Sequence, residues 1–194
     1  MSGGASSTRR TSSQDPALPG SAGSLESNPR ADFSGTSGSD GGIDPGFRCA
    51  LSTCDAIAGR YSCVDFGSGM GIPAVPLALF RPDLDIRAID KARKKTAFLR
   101  QVVMELALPN LTVLEGRAED IPPQEAGAGT AKAAGSPTLL TTWWMRHGQK
   151  GAPLWALKGP TVESEPVPEG WAYRLHPYRL PSRGSRQILE LYRP

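Results

Sequence analysis

The segment VDFGSGMGIPAVPLALF, residues 64–80, decides the fold that this sequence predicts. A short apolar run leads into three glycines at alternate positions, and a second apolar run containing two prolines follows. Glycines directly after a strand indicate a strand-to-helix turn at which the backbone comes close to a ligand. Pro73 and Pro76 fit the first helical turn, because the backbone N–H groups there have no partner within the helix.

Outward from this segment, strand-like and helix-like patterns alternate along the chain. The helix at residues 91–108 is the clearest, and its predicted buried face carries Phe98, Leu99, Val102, Val103 and Leu106. The neighbouring predictions are a strand in RYSCVDF (60–66), a helix in IPAVPLALF (72–80), and strands in DIRAID (85–90) and NLTVLEG (110–116). Strand, helix, strand, helix and strand within so short a span predict a parallel α/β sheet.

The second half of the chain has weaker patterns. PPQEAGAGTAKAAGS, residues 122–136, stands where a fourth strand belongs but has no β-branched apolar cluster, so we expect this strand to be degraded. The other predictions are a helix in TLLTTWWMRHG (138–148), a strand in APLWALKG (152–159), and an antiparallel hairpin formed by WAYRLHPYRL (171–180) and RQILELYR (186–193).

Composition divides the chain into two parts. Residues 1–46 are dominated by Ser, Gly, Pro and Asp and are predicted to be a disordered tail, whereas residues 47–194 are predicted to form one domain. The chain has a net charge of +3, and its acidic tail leaves the remainder mildly basic, which is compatible with a phosphate-rich partner. No apolar run is long enough to cross a bilayer, and the first residues lack the apolar core of a secretory signal, so a cytosolic protein is expected.

The cysteines and histidines form no recognisable metal or disulfide pattern. Cys49, Cys54 and Cys63 are an odd number without a C-x-x-C pair, and only His147 and His176 accompany them. We therefore expect reduced thiols, structural or solvated histidines, and no metal site.

The glycine segment itself admits several chemistries. A triphosphate-binding loop fails because no lysine follows the last glycine before Lys91. Dinucleotide binding is formally met, and a turn that merely packs helix on strand also remains open. Asp65 favours a third chemistry: a carboxylate two residues before Gly67 would repel a pyrophosphate but suits the ammonium and sulfonium groups of S-adenosylmethionine, with Asp90 accepting from the ribose hydroxyls.

Three segments together resemble one family. VDFGSGMGIPAVPLALFRPDLDIRAID, KKTAFLRQVVMELAL and VLEGRAED are similar to the RsmG (GidB) family, bacterial methyltransferases that modify N7 of a guanine in 16S ribosomal RNA. The similarity is close over residues 61–121 and returns at ALKG (156–159) and, faintly, at GSRQILEL (184–191). It implies a class I, Rossmann-like methyltransferase fold with a mostly parallel sheet, an S-adenosyl-L-methionine cofactor, and 16S ribosomal RNA or the small ribosomal subunit as partner of a cytoplasmic monomer.

The resemblance also implies which residues form the site. The cofactor contacts that it implies are Gly67, Ile72, Ala118, Glu119 and, in place of a family arginine, Lys132; the residue argument adds Asp65, Gly69 and Asp90. The implied RNA contacts are Lys94, Lys95, Lys158 and Arg186, for which solvated surface charges are the alternative interpretation. No catalytic base is expected, because guanine N7 carries a free lone pair.

The chain departs from the family pattern in two places. EAGAG (125–129) stands where the family has an aromatic–Asp pair, so a substrate-side acid is expected to be missing. The low-complexity tail stands where the family has an N-terminal helical cap. Two alternatives to the family activity therefore remain: a methyltransferase with a changed substrate, or a non-catalytic remnant that binds RNA or cofactor.

Overall fold

The structure is a computed structural model that describes residues 57, 59–159, 161–180 and 184–193. The predicted tail at residues 1–46, the region of the expected N-terminal cap, and Cys49 and Cys54 lie outside the described residues. Cys63 is buried, and its Sγ lies 3.9 Å from Thr130 Oγ1.

Seven strands and three helices make up the described chain, together with a short 3-10 turn at Val162–Ser164. The strands are β1 (Ser62–Phe66), β2 (Asp85–Asp90), β3 (Leu111–Glu115), β4 (Ala128–Lys132), β5 (Leu154–Lys158), β6 (Ala172–Leu180) and β7 (Gly184–Tyr192). The helices are α1 (Ala74–Phe80), α2 (Arg93–Glu105) and α3 (Pro137–His147).

All seven strands belong to one sheet in the order β3-β2-β1-β4-β5-β7-β6. The first five run parallel, whereas β7 is antiparallel to both of its neighbours, β5 and β6. The predicted mostly parallel sheet with a C-terminal antiparallel hairpin is therefore confirmed. The strand order reverses between β1 and β4, and open α/β sheets bind ligands at the carboxyl ends of the strands beside such a reversal.

The expectation of a degraded fourth strand is wrong. β4 pairs with both β1 and β5, and the first four of its five residues are buried. Its small residues are explained by α3, whose Trp144 ring packs directly over the strand: a Cβ on Gly129 would lie 2.8 Å from that ring and 2.7 Å from Leu154 Cδ1. The apolar bulk of this layer comes from the helix, which is why the strand has no β-branched cluster of its own.

The predicted buried face of α2 is wider than the observed one. Leu99 is buried and Val103 packs on the core, but Phe98 is 44% and Leu106 is 48% exposed. The helix contacts mainly β3, the outermost strand, so only a narrow stripe that includes Thr96 meets the sheet.

The prolines of the opening segment lie at the start of α1, with Pro73 one residue earlier than the first-turn position that the sequence predicts. Pro73 immediately precedes α1, after a cis peptide bond from Ile72, and Pro76 is the third residue of the helix. Neither position requires a backbone donor within the helix, so the helix forms without losing a hydrogen bond. None of the helices in the described part of the chain is long and apolar enough to span a membrane.

Candidate functional site

A cleft of about 440 Å³ opens at the carboxyl ends of the parallel strands. Its size is typical of sites that bind small molecules. The lining residues come from the ends of β1 and β2, from the loops after β2, β3 and β4, and from the helices α2 and α3; they are Gly67, Ile89, Asp90, Lys91, Ala92, Lys95, Gly116, Arg117, Ala118, Glu119, Ala133, Ala134, Leu139 and Trp143.

The glycine loop forms one wall of this cleft. The φ angles of Gly67, Gly69 and Gly71 are 66°, 57° and 93°, all in the left-handed region that side chains disfavour. The backbone N–H of Gly67 donates to the carbonyl of Ile89 at 2.8 Å, which ties the loop to the end of β2. The alternate glycines are therefore explained by backbone conformation at a turn that borders the cleft.

Asp90, at the end of β2, holds the loop and also lines the cleft. Its Oδ2 accepts from the backbone N–H of Gly69 and its Oδ1 from that of Ala92, both at 2.8 Å. Each carboxylate oxygen has a further acceptor position beyond these bonds. A carboxylate fixed in this way at the cleft wall suits the hydroxyl groups of a ribose.

The loop after β3 also lines the cleft, and Ala118 and Glu119 belong to it. Ala118 is buried, and its carbonyl accepts from His147 Nε2 at 2.7 Å. Glu119 Oε1 accepts from Trp143 Nε1 at 2.7 Å, and this hydrogen bond is the main cause that lowers the pKa of the Glu119 carboxyl. Glu119 is therefore an ionised acceptor at the cleft at neutral pH.

Asp65 lies behind the glycine loop and does not line the cleft. It is completely buried, Thr130 Oγ1 donates to its Oδ1 at 2.8 Å, and its Oδ2 has no hydrogen-bond partner among the described residues. Burial raises the pKa of Asp65 to about 7, and hydrogen bonds and the nearby charge of Lys132 oppose that rise. A buried carboxyl with an unpartnered oxygen is costly to ionise in the free protein, and a cationic ligand in front of it would reduce that cost.

Replacement of Asp65 by Asn is expected to affect stability and ligand affinity in opposite directions. The folded pKa of about 7 exceeds the ordinary value of 3.8, so the stability that this carboxyl contributes is fully present below pH 4 and is lost as pH rises to 7. At pH 8 we expect Asp65→Asn to raise the free energy of unfolding by about 1–2 kcal/mol, because the amide adds an unpaired N–H but removes the buried charge.

Urea unfolding of both proteins at pH 4 and pH 8 measures this difference. The stabilisation should appear only at pH 8, and affinity for a cationic nucleoside should fall in the same variant. A stabilisation of equal size at both pH values would contradict a neutral, buried Asp65.

Three further predicted cofactor residues are not among those that line the cleft. Gly69 donates to Asp90 from within the glycine loop, and Ile72 is half-buried just before α1. Lys132 ends β4, directly before Ala133 and Ala134, which do line the cleft. Its charge acts on Asp65 from that position.

The predicted RNA-binding residues separate into three groups. Lys95 lines the cleft, and Lys94 is exposed beside it on the first turn of α2. The Lys158 ammonium instead donates to the carbonyl of Gly135 and to Glu165 Oε2, both at 2.7 Å, and its side chain is only 9% exposed. The structure therefore gives Lys158 an internal role in fixing the loop after β4. Arg186 lies on β7 and donates to the carbonyl of Ser185, apart from the residues that line the cleft.

Sequence reasoning missed the contribution of α3 and several cationic residues. Trp143 and Leu139 reach the cleft from α3, and Lys91 and Arg117 reach it from the loops after β2 and β3. A signal for the loop residues existed, because each follows the end of a parallel strand. No comparable signal marked Trp143, whose partner Glu119 lies 24 residues earlier in the chain.

The lining fits S-adenosylmethionine. Asp90 and Glu119 provide acceptors for hydroxyl and amine groups, the side chains of Leu139 and Trp143 provide apolar surface for a purine, and Gly67 lets the ligand approach the backbone. Among the described residues, no group of three His, Cys, Asp or Glu side chains could hold a metal ion.

Comparison with known proteins agrees with this geometry. A family model described as GidB, rRNA small subunit methyltransferase G, matches residues 50–179. Ribosomal RNA small subunit methyltransferase G of Bordetella avium is 35% identical over 128 residues, which cover 64% of this chain and 57% of that protein. The protein of the same name from Paracoccus denitrificans is 32% identical over 160 residues, 73% of this chain and 83% of that protein. The chain spans about half the length of the first curated relatives that it matches.

Solved structures support the fold. A SAM-dependent methyltransferase from Aquifex aeolicus superposes with a TM-score of 0.59 at 15% identity, covering 77% of this chain and 94% of that one. The predicted class I, Rossmann-like methyltransferase fold is therefore confirmed. Because the family model covers more than half of the sequence, the chain belongs to the GidB family, rRNA small subunit methyltransferase G.

Proposed function

We propose that this protein transfers the methyl group of S-adenosyl-L-methionine to N7 of a guanine in 16S ribosomal RNA. The observation that carries the proposal is that Gly67, Asp90, Ala118 and Glu119, named from the family resemblance and the strand-end pattern, meet in one cleft. A ribosomal substrate implies that the protein acts in the cytoplasm, as a monomer on 16S RNA or the small ribosomal subunit.

The chemistry places few demands on side chains. The cofactor supplies an electrophilic methyl group on a sulfonium, and guanine N7 offers an unprotonated lone pair, so no proton has to be removed before attack. The protein has to bind and orient two partners. Asp90 and Glu119 orient the nucleoside, and the exposed backbone at Gly67 leaves room for the reacting end of the cofactor.

A calorimetric titration tests the cofactor part of this proposal. We expect S-adenosylmethionine to bind with one site per chain, and NAD, whose pyrophosphate would lie in front of Asp65, to bind much more weakly. Absence of S-adenosylmethionine binding would leave a non-catalytic remnant as the better account. Binding followed by methylation of another RNA, but not of 16S RNA, would favour a methyltransferase with a changed substrate.

The RNA is expected to approach over the basic lip of the cleft formed by Lys91, Arg93, Lys94 and Lys95. Three of these residues occupy the first turn of α2, where positive charge is unfavourable to the helix dipole and no acidic residue offsets it. A polyanion at this position would gain from both the side chains and the helix end.

Lys94→Ala is expected to weaken binding of a 16S RNA fragment by about threefold to tenfold and to lower the salt dependence of binding by about one charge. Affinity for S-adenosylmethionine should be unchanged, because Lys94 does not line the cleft. Fluorescence titrations at several salt concentrations measure both quantities.

Lys150→Ala is the matched control, since Lys150 is also an exposed lysine and lies in the turn before the amino end of β5, whereas the cleft lies at the carboxyl ends of the strands. Equal losses in the two variants would mean that RNA binding is not concentrated at the α2 lip.

A further inference from the structure

One face of α3 contacts the loop after β3 through three hydrogen bonds. Trp143, Arg146 and His147, at helical positions i, i+3 and i+4, donate to Glu119 Oε1, the Ile121 carbonyl and the Ala118 carbonyl at 2.7, 3.0 and 2.7 Å. We propose that Trp143 and His147 are positioning residues for the nucleoside of the cofactor. They hydrogen-bond to Glu119 and Ala118, the two cleft residues that would contact the nucleoside. This inference rests on the proposed function for the identity of the ligand.

Trp143 sets the direction of the Glu119 carboxylate. Its indole N–H donates to Oε1, which fixes the orientation of the carboxylate and still leaves acceptor positions for a ligand amine. The Glu119 side chain is exposed and, without this hydrogen bond, would sample several rotamers. Fixing one rotamer when the ligand binds would then cost conformational entropy and weaken the affinity. Trp143 also lines the cleft itself, so it contributes to this part of the cleft in two ways.

His147 fixes the backbone of the loop after β3 from inside the core. Its side chain is fully buried, and the Ala118 carbonyl can only accept, so Nε2 carries the proton of a neutral ring. Nδ1 has no hydrogen-bond partner among the described residues, and burial lowers the pKa of His147. The neutral imidazole has one N–H group, and it donates that group to the Ala118 carbonyl; His147 therefore holds the loop in place.

Phe66 links the same helix face to the glycine loop. Its ring lies 5.7 Å from the Trp143 ring and 5.5 Å from the His147 ring, measured between centroids, and the next residue is Gly67. The two parts of the cleft lining, at Gly67 and at Ala118 and Glu119, are thus connected to one helix face. Loosening α3 from the loop should weaken ligand binding without removing any group that takes part in methyl transfer.

Trp143→Phe tests the first contact, with Trp144→Phe as a matched control. Trp144 also donates an indole N–H, to the Ala152 carbonyl at 2.9 Å, but faces away from the cleft. We expect Trp143→Phe to raise the KM for S-adenosylmethionine about fivefold to tenfold with kcat changed less than twofold. Trp144→Phe should lower Tm and leave KM unchanged. Equal KM values in the two variants would overturn the assignment of Trp143.

His147→Leu and His147→Gln test the second contact as a pair. Both variants disturb the core, but the Gln amide can still donate to the Ala118 carbonyl, whereas Leu leaves that carbonyl unpaired. We expect a KM increase of about fivefold to tenfold for Leu and at least partial recovery for Gln at a temperature where both are folded. If the increase in KM tracks the decrease in Tm in both variants, and His147→Gln has no lower KM than His147→Leu, then His147 is only a structural core residue.

Amide hydrogen exchange separates this inference from the proposed function, because it needs no cofactor. The N–H groups of Asp120 and Ile121 both donate to the Arg117 carbonyl, at 3.0 and 3.2 Å, and their exchange reports opening of the loop. Exchange at both amides should be faster in Trp143→Phe and His147→Leu, and unchanged in Trp144→Phe. If the wild type binds no S-adenosylmethionine, the proposed function fails, but the exchange rates still decide whether α3 holds the loop. Exchange that is unchanged in Trp143→Phe and His147→Leu would overturn the inference.

Discussion

Gly67→Arg is expected to abolish S-adenosylmethionine binding, with an affinity loss of at least about 100-fold, while the protein stays folded. Gly67 has a φ of 66°, and a Cβ built on it would lie 2.9 Å from Ala134 Cβ, so any side chain is strained and enters the cleft. A guanidinium there would also repel the positive charges of the sulfonium and ammonium groups. Calorimetry measures the affinity, and circular dichroism with thermal unfolding measures the fold.

Gly170→Arg is the control for backbone strain and charge. Gly170 has a φ of 77°, and no heavy atom lies within 4 Å of the position of its Cβ. The control should lose a comparable amount of stability from the left-handed backbone and bind the cofactor normally. Normal binding by Gly67→Arg would place the cofactor somewhere other than this cleft.

Gly129→Ala is expected to cause a large loss of stability for the addition of a single methyl group. A Cβ on Gly129 would lie 2.7–2.8 Å from the Leu154 side chain and the Trp144 ring, both buried. Overpacking of this kind should lower the free energy of unfolding by about 2–3 kcal/mol, although alanine suits a strand better than glycine does. Urea unfolding measures the change.

Gly127→Ala is the matched comparison, two residues earlier in the chain. The nearest atoms to its Cβ position belong to Ser62, at 3.6–3.7 Å, which is ordinary contact, and the hydrogen bond from its N–H to Ser62 Oγ would be kept. Its stability should change by less than about 0.5 kcal/mol. Equal losses in the two variants would mean that Trp144 does not set the composition of β4.

The first half of the fold could be predicted because its signals are local. The glycines directly follow one strand and Asp90 ends the next, so the sequence order alone places them at the carboxyl ends of a parallel sheet. Ala118 and Glu119 came from the family resemblance, and the structure brings them to the same cleft. Local patterns and family motifs therefore pointed to four residues that line one cleft, Gly67, Asp90, Ala118 and Glu119.

The prediction for the fourth strand is wrong because the apolar packing that stabilises β4 comes from α3 and not from the side chains of the strand. Gly129 is small because Trp144, 15 positions later, fills the space above it, and β propensity describes only the strand itself. The burial of Phe98 was overestimated for a related reason, since a helix at the edge of a sheet meets it along a narrower stripe than the periodicity suggests.

Side-chain pairing decided the roles that sequence could not assign. Lys158 lies in a family motif, but its ammonium is engaged by Gly135 and Glu165, one on either side of it in sequence. His147 could only be described as structural or solvated until its contact with Ala118, 29 residues away, was visible. Such contacts depend on how helices pack on the sheet, which a single sequence does not reveal.

Transfer of a labelled methyl group tests the central proposal most directly. Purified full-length protein should transfer the label from S-adenosylmethionine to 16S RNA that lacks the modification, free or within the small subunit, and mapping should place it on N7 of one guanine. Gly67→Arg should transfer none, and Gly170→Arg should match the wild type. Label found on another RNA or another atom, or no transfer by a protein that binds the cofactor, would contradict the proposed activity.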